Sequence, residues 1–296
     1  MTPAAVLAWA RRWHGLKAGP ATRALSAGVA ALAASAGRRP LVTDHFQACL
    51  NSRDLFRVVK LVHVAECAEP GDELGGWARV SARRRAVAAF LKGLNSSAKT
   101  RFDAGLVSRV WDAVLAAGAG GWYPIVGFEH HVADGAFPEV SLYAEHRAPR
   151  AAAAAARLMA PEALARLGDA PLFALGLDLL ADGRSRLKLY FSAPPGAAGG
   201  LLKDLDGRLC PPRSLSLLRT KPEGGFETSS KAYLPLPAVT SGRVTALSGD
   251  EFPGAARGSL GTFARTVARA VAGQHLFYIG ASSEKTEVYF GAGEPE

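Results

Sequence analysis

The octapeptide Ser185–Ser192 places the residues best suited to chemistry at alternate positions. Because successive side chains of a β-strand point to opposite faces, one face carries Arg186, Lys188, Tyr190 and Ser192, and the other carries leucine and phenylalanine. The polar face fits the interior of a barrel that holds an anion, since arginine binds phosphate oxygens in pairs and lysine acts as a point charge. The apolar face requires a cover of helices. A sandwich strand with a solvated basic face has the same pattern.

The pattern recurs along the chain, which favours the barrel over the sandwich. The segment from Gly127 to Tyr143 resembles the segment from Gly176 to Tyr190, and both contain an Asp-Gly turn signal. Of the six tyrosines, four fall at the corresponding end of a second strand. These are Tyr143, Tyr190, Tyr233 and Tyr289. The general frequency of tyrosine in strands is the simpler alternative explanation.

Helical pairs and strand pairs alternate through the chain, about five times. We predict helices over Pro3–Leu16, Ala21–Ala34, Ala78–Leu94, Ser97–Ala117, Ala151–Ala156, Pro161–Leu167, Leu201–Leu205 and Asp250–Ala272. We predict strands over Leu41–Leu50, Leu55–Val64, Trp122–Val132, Glu139–Arg147, Pro171–Leu180, Ser185–Ser192, Leu215–Thr220, Ser229–Leu236, Gln274–Gly280 and Thr286–Gly291. Antiparallel hairpins with helices on one face can close into a barrel, and about ten strands leave room for a ligand.

The inward face of such a barrel would combine cations, phenols and carboxylates. Its expected members are Glu139, Ser141, Tyr143, Glu145, Arg186, Lys188, Tyr190, Lys231, Tyr233, Lys285, Glu287 and Tyr289. The cations can hold a diphosphate, and phenol rings can shield a carbocation by about 0.5–2 kcal/mol per face. A carboxylate can accept a proton. The sequence has no Asp-Asp-x-x-Asp cluster for a magnesium–diphosphate bridge.

With these motifs the chain resembles the aromatic prenyltransferases of the ABBA, or PT-barrel, fold, in particular the indole branch of dimethylallyltryptophan synthases and its small bacterial relatives. The resemblance rests on Arg186-Leu-Lys188-Leu-Tyr190 and on the repeated strand ends like Lys-x-Tyr. It implies an α+β fold of repeated ααββ units, which form a closed, ten-stranded antiparallel barrel with a solvent-filled lumen surrounded by helices. One domain would span residues 1–296, with a helical segment over 1–38 and barrel repeats over 39–292.

The resemblance also implies roles for individual residues. The diphosphate would be bound by Arg186, Lys188 and Lys231, with Arg57 or Lys60 as a first-strand cation, and Tyr143, Tyr190, Tyr233 and Tyr289 would shield the carbocation. The family's acidic base on the first strand would correspond to Asp44. Independently of the resemblance, the inward carboxylates of Glu139, Glu145 and Glu287 could also accept the proton. The chain departs from the family at Ser141, where a lysine is expected, and around Asp44, which lacks the usual neighbours. Its short length resembles the peptide-modifying enzymes of cyanobactin pathways.

The expected reaction is transfer of an allylic group, such as dimethylallyl, from a prenyl diphosphate to an electron-rich indole or phenol, free or within a peptide. No cofactor is required, although Mg²⁺ can assist. A net charge of +9 and a pI near 9.7 favour an anionic partner. Three scattered cysteines and the absence of a signal peptide or a long apolar run predict a cytoplasmic protein without a membrane segment. The high content of alanine, glycine and arginine indicates a bacterial gene of high GC content. We expect a monomer that binds no nucleic acid.

Several other sites and functions compete with this interpretation. The histidines near Glu129 suggest a metal, but adjacent histidines on a strand point apart. Glycine runs lack the lysine of a phosphate loop, and Ser282-x-x-Lys285 fits a strand turn. The basic side of the helix at Arg79–Arg85 fits a solvated surface better than a nucleic-acid site. Two alternative functions stay open: a barrel that binds an anionic or hydrophobic ligand without chemistry, and a basic α/β protein that binds nucleic acid.

Overall fold

The computed structural model of the protein describes most of the sheet and four helices. The residues described are 20–35, 45–51, 58–64, 73–116, 125–131, 136–144, 149–162, 172–192, 213–220, 225–235, 275–282 and 286–291. The predicted helices Pro3–Leu16, Leu201–Leu205 and Asp250–Ala272 lie outside these residues, and of Pro161–Leu167 only residues 161–162 are described.

Ten strands form one antiparallel sheet. They are β1 (His45–Asn51), β2 (Val58–Val64), β3 (Ile125–His131), β4 (Glu139–Ala144), β5 (Leu172–Leu180), β6 (Ser185–Ser192), β7 (Arg213–Thr220), β8 (Phe226–Pro235), β9 (His275–Ser282) and β10 (Thr286–Gly291). Each strand pairs with its neighbours in the sequence, and β1 also pairs with β10, so that the sheet closes on itself. The expectation of an antiparallel α+β fold is confirmed.

The described part of the chain includes four complete helices. They are α1 (Pro20–Ser35), α2 (Glu73–Ala98), α3 (Ala104–Ala116) and α4 (Pro149–Met159). The helices α1 and α2 pack together at Gly28, where a Cβ atom would lie 2.0 Å from the Phe90 ring. No helix within the described ranges is long and apolar enough to cross a membrane.

The core lies between the helices and one face of the sheet. Phe90 of α2 contacts Phe128 of β3 with ring centroids 5.4 Å apart, and Phe128 lies 6.4 Å from Phe137. Leu187 and Leu189 of β6 are buried, as predicted for the apolar face of this strand. Each buried side chain of this size stabilises the fold by about 1.5–3 kcal/mol. The opposite face of the strands is thereby turned to the inside of the ring.

The connection between α2 and α3 differs from the prediction of a helix over Ser97–Ala117. Helix α3 begins only at Ala104, and Lys99 has the left-handed φ of 55°. The Asn95 side chain explains the break, since its Nδ2 donates to the Phe102 carbonyl at 3.0 Å while its Oδ1 accepts from the Phe102 amide at 2.8 Å. The same Oδ1 accepts from Thr100 at 2.9 Å. These side-chain bonds replace helical ones.

Two further boundaries depart from the predictions. Helix α2 runs from Glu73 to Ala98 and therefore extends beyond the predicted helix Ala78–Leu94 at both ends. Helix α4 runs from Pro149 to Met159 and therefore extends beyond the alanine run on both sides.

The connection between α2 and α3 also holds the β5–β6 hairpin in place. The Arg101 amide donates to the Ala181 carbonyl at 2.7 Å, and the Ala181 amide donates to the Pro138 carbonyl at 2.9 Å. The predicted Asp-Gly turn is confirmed, because Gly183 has φ 93° and its amide donates to the Leu180 carbonyl at 3.0 Å. The turn fixes the register in which β5 and β6 face each other.

Replacement of Asn95 by alanine removes three hydrogen bonds from this connection. At about 0.5–1.5 kcal/mol each, we expect Asn95→Ala to lower the free energy of unfolding by about 2–4 kcal/mol. Denaturant unfolding followed by circular dichroism measures the change. The matched control is Ser96→Ala on the exposed neighbouring residue, which should leave the unfolding midpoint unchanged. Equal effects of the two substitutions would contradict the role of Asn95.

Candidate active site

Strand register brings the alternate polar residues of β4, β5 and β6 onto one face. Ser141 is opposite Asp178, and Asp178 is opposite Arg186. One pair further along, Gly176 lies between Tyr143 on one side and Lys188 on the other. Because the intervening leucines face the helices, this polar face is the one turned to the inside of the ring.

Four charged side chains meet on this face: Glu139, Asp178, Arg186 and Lys188, which we call the charge cluster. The Lys188 Nζ atom lies 2.6 Å from Asp178 Oδ2 and 3.5 Å from Glu139 Oε1. The Arg186 Nη2 atom lies 3.1 Å from the same Asp178 oxygen and forms a close ion pair with Glu139 Oε2. Each cation therefore contacts both carboxylates, and the formal charges of the cluster cancel.

Ser141 links the two carboxylates. Its Oγ lies 2.8 Å from Glu139 Oε1 and 2.9 Å from Asp178 Oδ1. A hydroxyl has one hydrogen, so Ser141 can donate to only one of these oxygens at a time. The position where the family resemblance predicts a lysine thus holds a neutral donor between two acids, and no third cation is supplied from this position.

Burial makes the charges of the cluster interact strongly. The Asp178 side chain is 0% exposed, that of Lys188 8% and that of Arg186 23%. Burial alone would lower the pKa of Lys188, but Asp178 and then Glu139 outweigh it and raise that pKa above its ordinary value. Burial also tends to lower the pKa of Arg186, but the same two carboxylates together outweigh it, so that this pKa too is raised above its ordinary value. Both groups are therefore cations at neutral pH.

An aromatic ring lies beside Lys188. The Lys188 Nζ atom is 5.8 Å from the centroid of the Tyr143 ring, within the range of a cation–π contact. Gly176 permits this arrangement, since a Cβ atom there would lie 3.1 Å from Tyr143 Cε1 and 3.3 Å from Lys188 Cβ. Tyr190 follows Lys188 on the same face of β6 and is buried.

A tyrosine–carboxylate pair lies on β10. The Tyr289 hydroxyl donates to Glu287 Oε2 at 3.2 Å, and both residues are buried. In the sheet, Tyr289 is paired with Tyr278 of β9 and with Cys49 of β1.

The sequence-predicted site residues fall into three groups: those whose side chains the structure describes, those for which it describes only the strand position, and those outside the described residues. It brings Glu139, Arg186 and Lys188 together, with Tyr143 and Tyr190 on the same face and Tyr289 elsewhere on the ring. For three others it describes only the strand positions: Lys60 pairs with Cys49 and Glu129, Lys231 with Leu215 and Ser282, and Tyr233 with Arg213 and Gly280. Asp44, Arg57 and Glu145 lie outside the described residues.

Sequence analysis missed Asp178 as a site residue. The signal was present, because Asp178 is the one charged residue in the apolar strand Leu172–Leu180 and falls on the same alternate positions as Gly176. A carboxylate buried in such a strand is stable only when it is paired with a cation. Arg186 and Lys188, which follow the Asp182-Gly183 turn on the next strand, are two such cations.

The described residues bear on two of the competing sites. Among the side chains that the structure describes, which do not include those of His130 and His131, no group of three or more histidines, cysteines, aspartates or glutamates could hold a metal ion. On the basic side of α2, Arg85 is exposed, as expected for a solvated surface, but Arg83 is fully buried and donates to the Leu32 carbonyl of α1 at 3.3 Å. Its neighbour Arg84 pairs with Asp112 of α3 at 2.6 Å.

Comparison with known proteins rests on structure alone. No family model matches the sequence, and no curated protein matches it significantly. Among solved structures, 5-dimethylallyltryptophan synthase from Streptomyces coelicolor has a TM-score of 0.59 at 15% identity, covering 97% of this chain and 95% of its own. AnaPT from Neosartorya fischeri has a TM-score of 0.59 at 14% identity, with 99% and 92% covered.

A third structure, the prenyltransferase PriB with L-tryptophan and dimethylallyl thiolodiphosphate, has a TM-score of 0.60 at 18% identity and covers 98% of this chain and 95% of its own. The likeness to all three extends over nearly the whole chain. At these identities it establishes the fold, and the chain has the fold of these aromatic prenyltransferases.

Proposed function

We propose that the protein is an aromatic prenyltransferase. It transfers an allylic group from a prenyl diphosphate, such as dimethylallyl diphosphate, to an electron-rich indole or phenol, free or within a peptide. The observation that carries this proposal is the pair Arg186 and Lys188 on one face of β6, with Lys188 Nζ 5.8 Å from the centroid of the Tyr143 ring. The fold adds support, because PriB was solved with dimethylallyl thiolodiphosphate and L-tryptophan, and also with product diphosphate.

The charge cluster and its tyrosines divide the reaction between them. Arg186 and Lys188 bind the diphosphate and stabilise the charge that develops on it as the allylic C–O bond breaks. Tyr143 and Tyr190 present ring faces to the allylic cation, and we assign the same role to Tyr233 and Tyr289. The electron-rich acceptor ring attacks the cation and then loses a proton.

The proton acceptor is assigned by what each carboxylate already contacts. Glu139 is held by Arg186 and lies near Lys188, so we propose that it serves as a counter-ion. Asp44, Glu145 or a chain of water molecules in a solvent-filled lumen then takes the proton. Lys231, with Arg57 or Lys60, is proposed to complete the diphosphate site. A single barrel domain, a monomer and a cytoplasmic location complete this proposal.

No cofactor takes part in these steps. The positive charge that the leaving diphosphate needs is supplied by protein side chains, and Mg²⁺ bound to the diphosphate can add to it. The proposed partners are therefore a prenyl diphosphate and an aromatic acceptor.

One observation favours a second candidate, a barrel that binds its ligand without chemistry. The two cations are already neutralised by Asp178 and Glu139, and Ser141 replaces a further lysine. A neutral cluster attracts a highly charged anion less than two free cations do. Ligand binding without turnover would distinguish this function from catalysis.

The test combines calorimetric binding with an activity screen. Dimethylallyl and geranyl S-thiolodiphosphates, which ionise poorly, are titrated into the protein, with inorganic diphosphate for comparison. The prenyltransferase should bind the longer analogue more tightly and should transfer dimethylallyl to tryptophan, tyrosine or a peptide containing them. Folded protein that binds neither analogue contradicts the proposal, and binding without transfer to any acceptor favours the second candidate.

Loss of the Lys188 charge should abolish turnover. We expect Lys188→Met to lower kcat/KM at least ~100-fold, or about 2.7 kcal/mol in transition-state stabilisation, and Arg186→Met to do the same. Lys92→Met on the exposed side of α2 is the matched control and should keep wild-type activity. Steady-state kinetics measures both, and near-ultraviolet circular dichroism verifies the fold. Wild-type kcat/KM in folded Lys188→Met and Arg186→Met would refute the diphosphate assignment.

The aromatic face of Tyr190 should matter more than its hydroxyl. We expect Tyr190→Phe to retain kcat within about threefold, and Tyr190→Leu, which keeps an apolar side chain but loses the ring, to lower kcat by about tenfold or more. Single-turnover rates of dimethylallyl transfer separate this effect from substrate binding. Equal losses in the two variants would exclude the shielding role.

The raised pKa of Lys188 predicts a specific dependence of stability on pH. A lysine whose pKa in the folded state exceeds its ordinary value, about 10.4, stabilises the fold fully below that value and loses this contribution as pH rises further. We therefore expect the difference in unfolding free energy between wild type and Lys188→Met to be constant from about pH 7 to 9.5 and to shrink above about pH 10. Urea titrations at each pH test this, and a difference that shrinks already near pH 8 would contradict it.

A further inference from the structure

Asp178 occupies the position between the two cations of the proposed diphosphate site. Its Oδ2 atom lies 2.6 Å from Lys188 Nζ and 3.1 Å from Arg186 Nη2, so a single carboxylate oxygen bridges both groups. A phosphate oxygen that contacts both Lys188 Nζ and Arg186 Nη2 would have to occupy the position of Asp178 Oδ2. The carboxylate and the diphosphate therefore compete for the same positive charge.

We propose that Asp178 sets the affinity of the site for diphosphate, as an internal competitor that weakens the hold on the anion and so speeds release of the diphosphate product. This inference rests on the proposed function and assigns a further residue to it. Asp178 need not touch the reacting atoms, since it acts through Arg186 and Lys188. Its effect is to limit how tightly those cations bind an anion.

The burial of Asp178 makes the competition effective. Because the side chain is fully buried, water does not screen its charge, and its attraction to the cations is strong. The Ser141 hydroxyl lies 2.9 Å from the other oxygen, Oδ1, and can donate to it. The two ion pairs, with this hydroxyl beside them, hold the Asp178 carboxylate against the cations.

The cluster nevertheless leaves donors for an incoming anion. The Arg186 Nε atom is buried and has no hydrogen-bond partner among the described residues. A guanidinium offers five N–H donors and an ammonium three, so the carboxylates do not exhaust either group. An anion can bind beside Asp178, with an affinity reduced by its negative charge.

The reduced affinity has different consequences for substrate and product. The prenyl diphosphate also contacts the barrel through its hydrocarbon chain, whereas the product diphosphate is held by its charge alone. For the substrate, the contacts of the hydrocarbon chain offset the weaker binding of the diphosphate group. The product has no such contacts, so its affinity is reduced in full. Since product release limits turnover in many enzymes, Asp178 favours rapid release.

The experiment measures binding of inorganic diphosphate by calorimetry to wild type, Asp178→Asn and Asp182→Asn. Asp178→Asn keeps the shape of the side chain and removes its charge. The matched control, Asp182→Asn, makes the same charge change at an exposed position of the same hairpin. We expect Asp178→Asn to bind diphosphate at least tenfold more tightly and Asp182→Asn to remain within twofold of wild type. Unchanged or weaker binding by folded Asp178→Asn overturns the inference.

A second variant covers loss of folding, since removal of one partner from a buried ionic network can be strongly destabilising. If Asp178→Asn does not fold, Glu139→Gln decides instead, because Glu139 also contacts both cations. Tighter diphosphate binding by Glu139→Gln supports competition by the carboxylates, and unchanged or weaker binding overturns it. In the active enzyme, Asp178→Asn should lower kcat and strengthen product inhibition by diphosphate, whereas a merely structural role would leave that inhibition unaltered.

Failure of this inference can be distinguished from failure of the proposed function. If wild type binds dimethylallyl S-thiolodiphosphate and transfers the prenyl group, but folded Asp178→Asn binds diphosphate no more tightly, only the role of Asp178 is wrong. If Asp178→Asn binds inorganic diphosphate more tightly, but no variant binds the thiolodiphosphate, the competition holds and the prenyltransferase assignment fails.

Discussion

The charge cluster depends on mutual neutralisation inside a buried space. Removing an isolated ammonium or carboxylate from water costs several kcal/mol even after the protein relaxes, so Lys188 could not remain charged in this position alone. Ion pairs with Asp178 and Glu139 offset this cost, and the Ser141 hydroxyl lies within hydrogen-bond distance of both carboxylates. The ligand-free protein thereby keeps both cations charged and oriented. The same contacts limit what those cations can offer to a ligand.

The closed sheet determines which residues take part in the cluster. Side chains alternate between faces, so a shift of one residue in the β5–β6 register would turn Arg186 and Lys188 towards the helices and the leucines inward. The turn at Gly183 and the hydrogen bonds that anchor Ala181 oppose such a shift. The hairpin is further held by the connection that Asn95 organises, although Asn95 itself lies outside the barrel wall. The chemistry of the site therefore depends on contacts at the ends of the strands.

The sequence predicted the parts of the fold that follow from local rules. Alternation over Ser185–Ser192 gave both the strand and its two faces, and Asp182-Gly183 gave its turn. The break before α3 escaped prediction because the apolar stripe of a helix continues through it, and because a side-chain hydrogen bond from Asn95 to Phe102 has no periodic signature. Capping also contributes, since Asp103 Oδ1 accepts from the Leu106 amide at 2.8 Å. Such competition between side chain and backbone is decided by three-dimensional contacts.

The cluster itself shows where prediction from sequence ends. The cations were recognised because they alternate within one strand, but their partners lie on two other strands, and only the register brings these together. The consequence is chemical: Glu139, expected from its inward position to act as a base, is engaged by Arg186. Arg186 and Lys188 alone would give this part of the face a positive charge, whereas the charge cluster that they form with Asp178 and Glu139 is neutral. The difference bears directly on catalysis, because a preorganised neutral cluster can stabilise charge that develops on a leaving group without binding the departed anion as tightly as two free cations would.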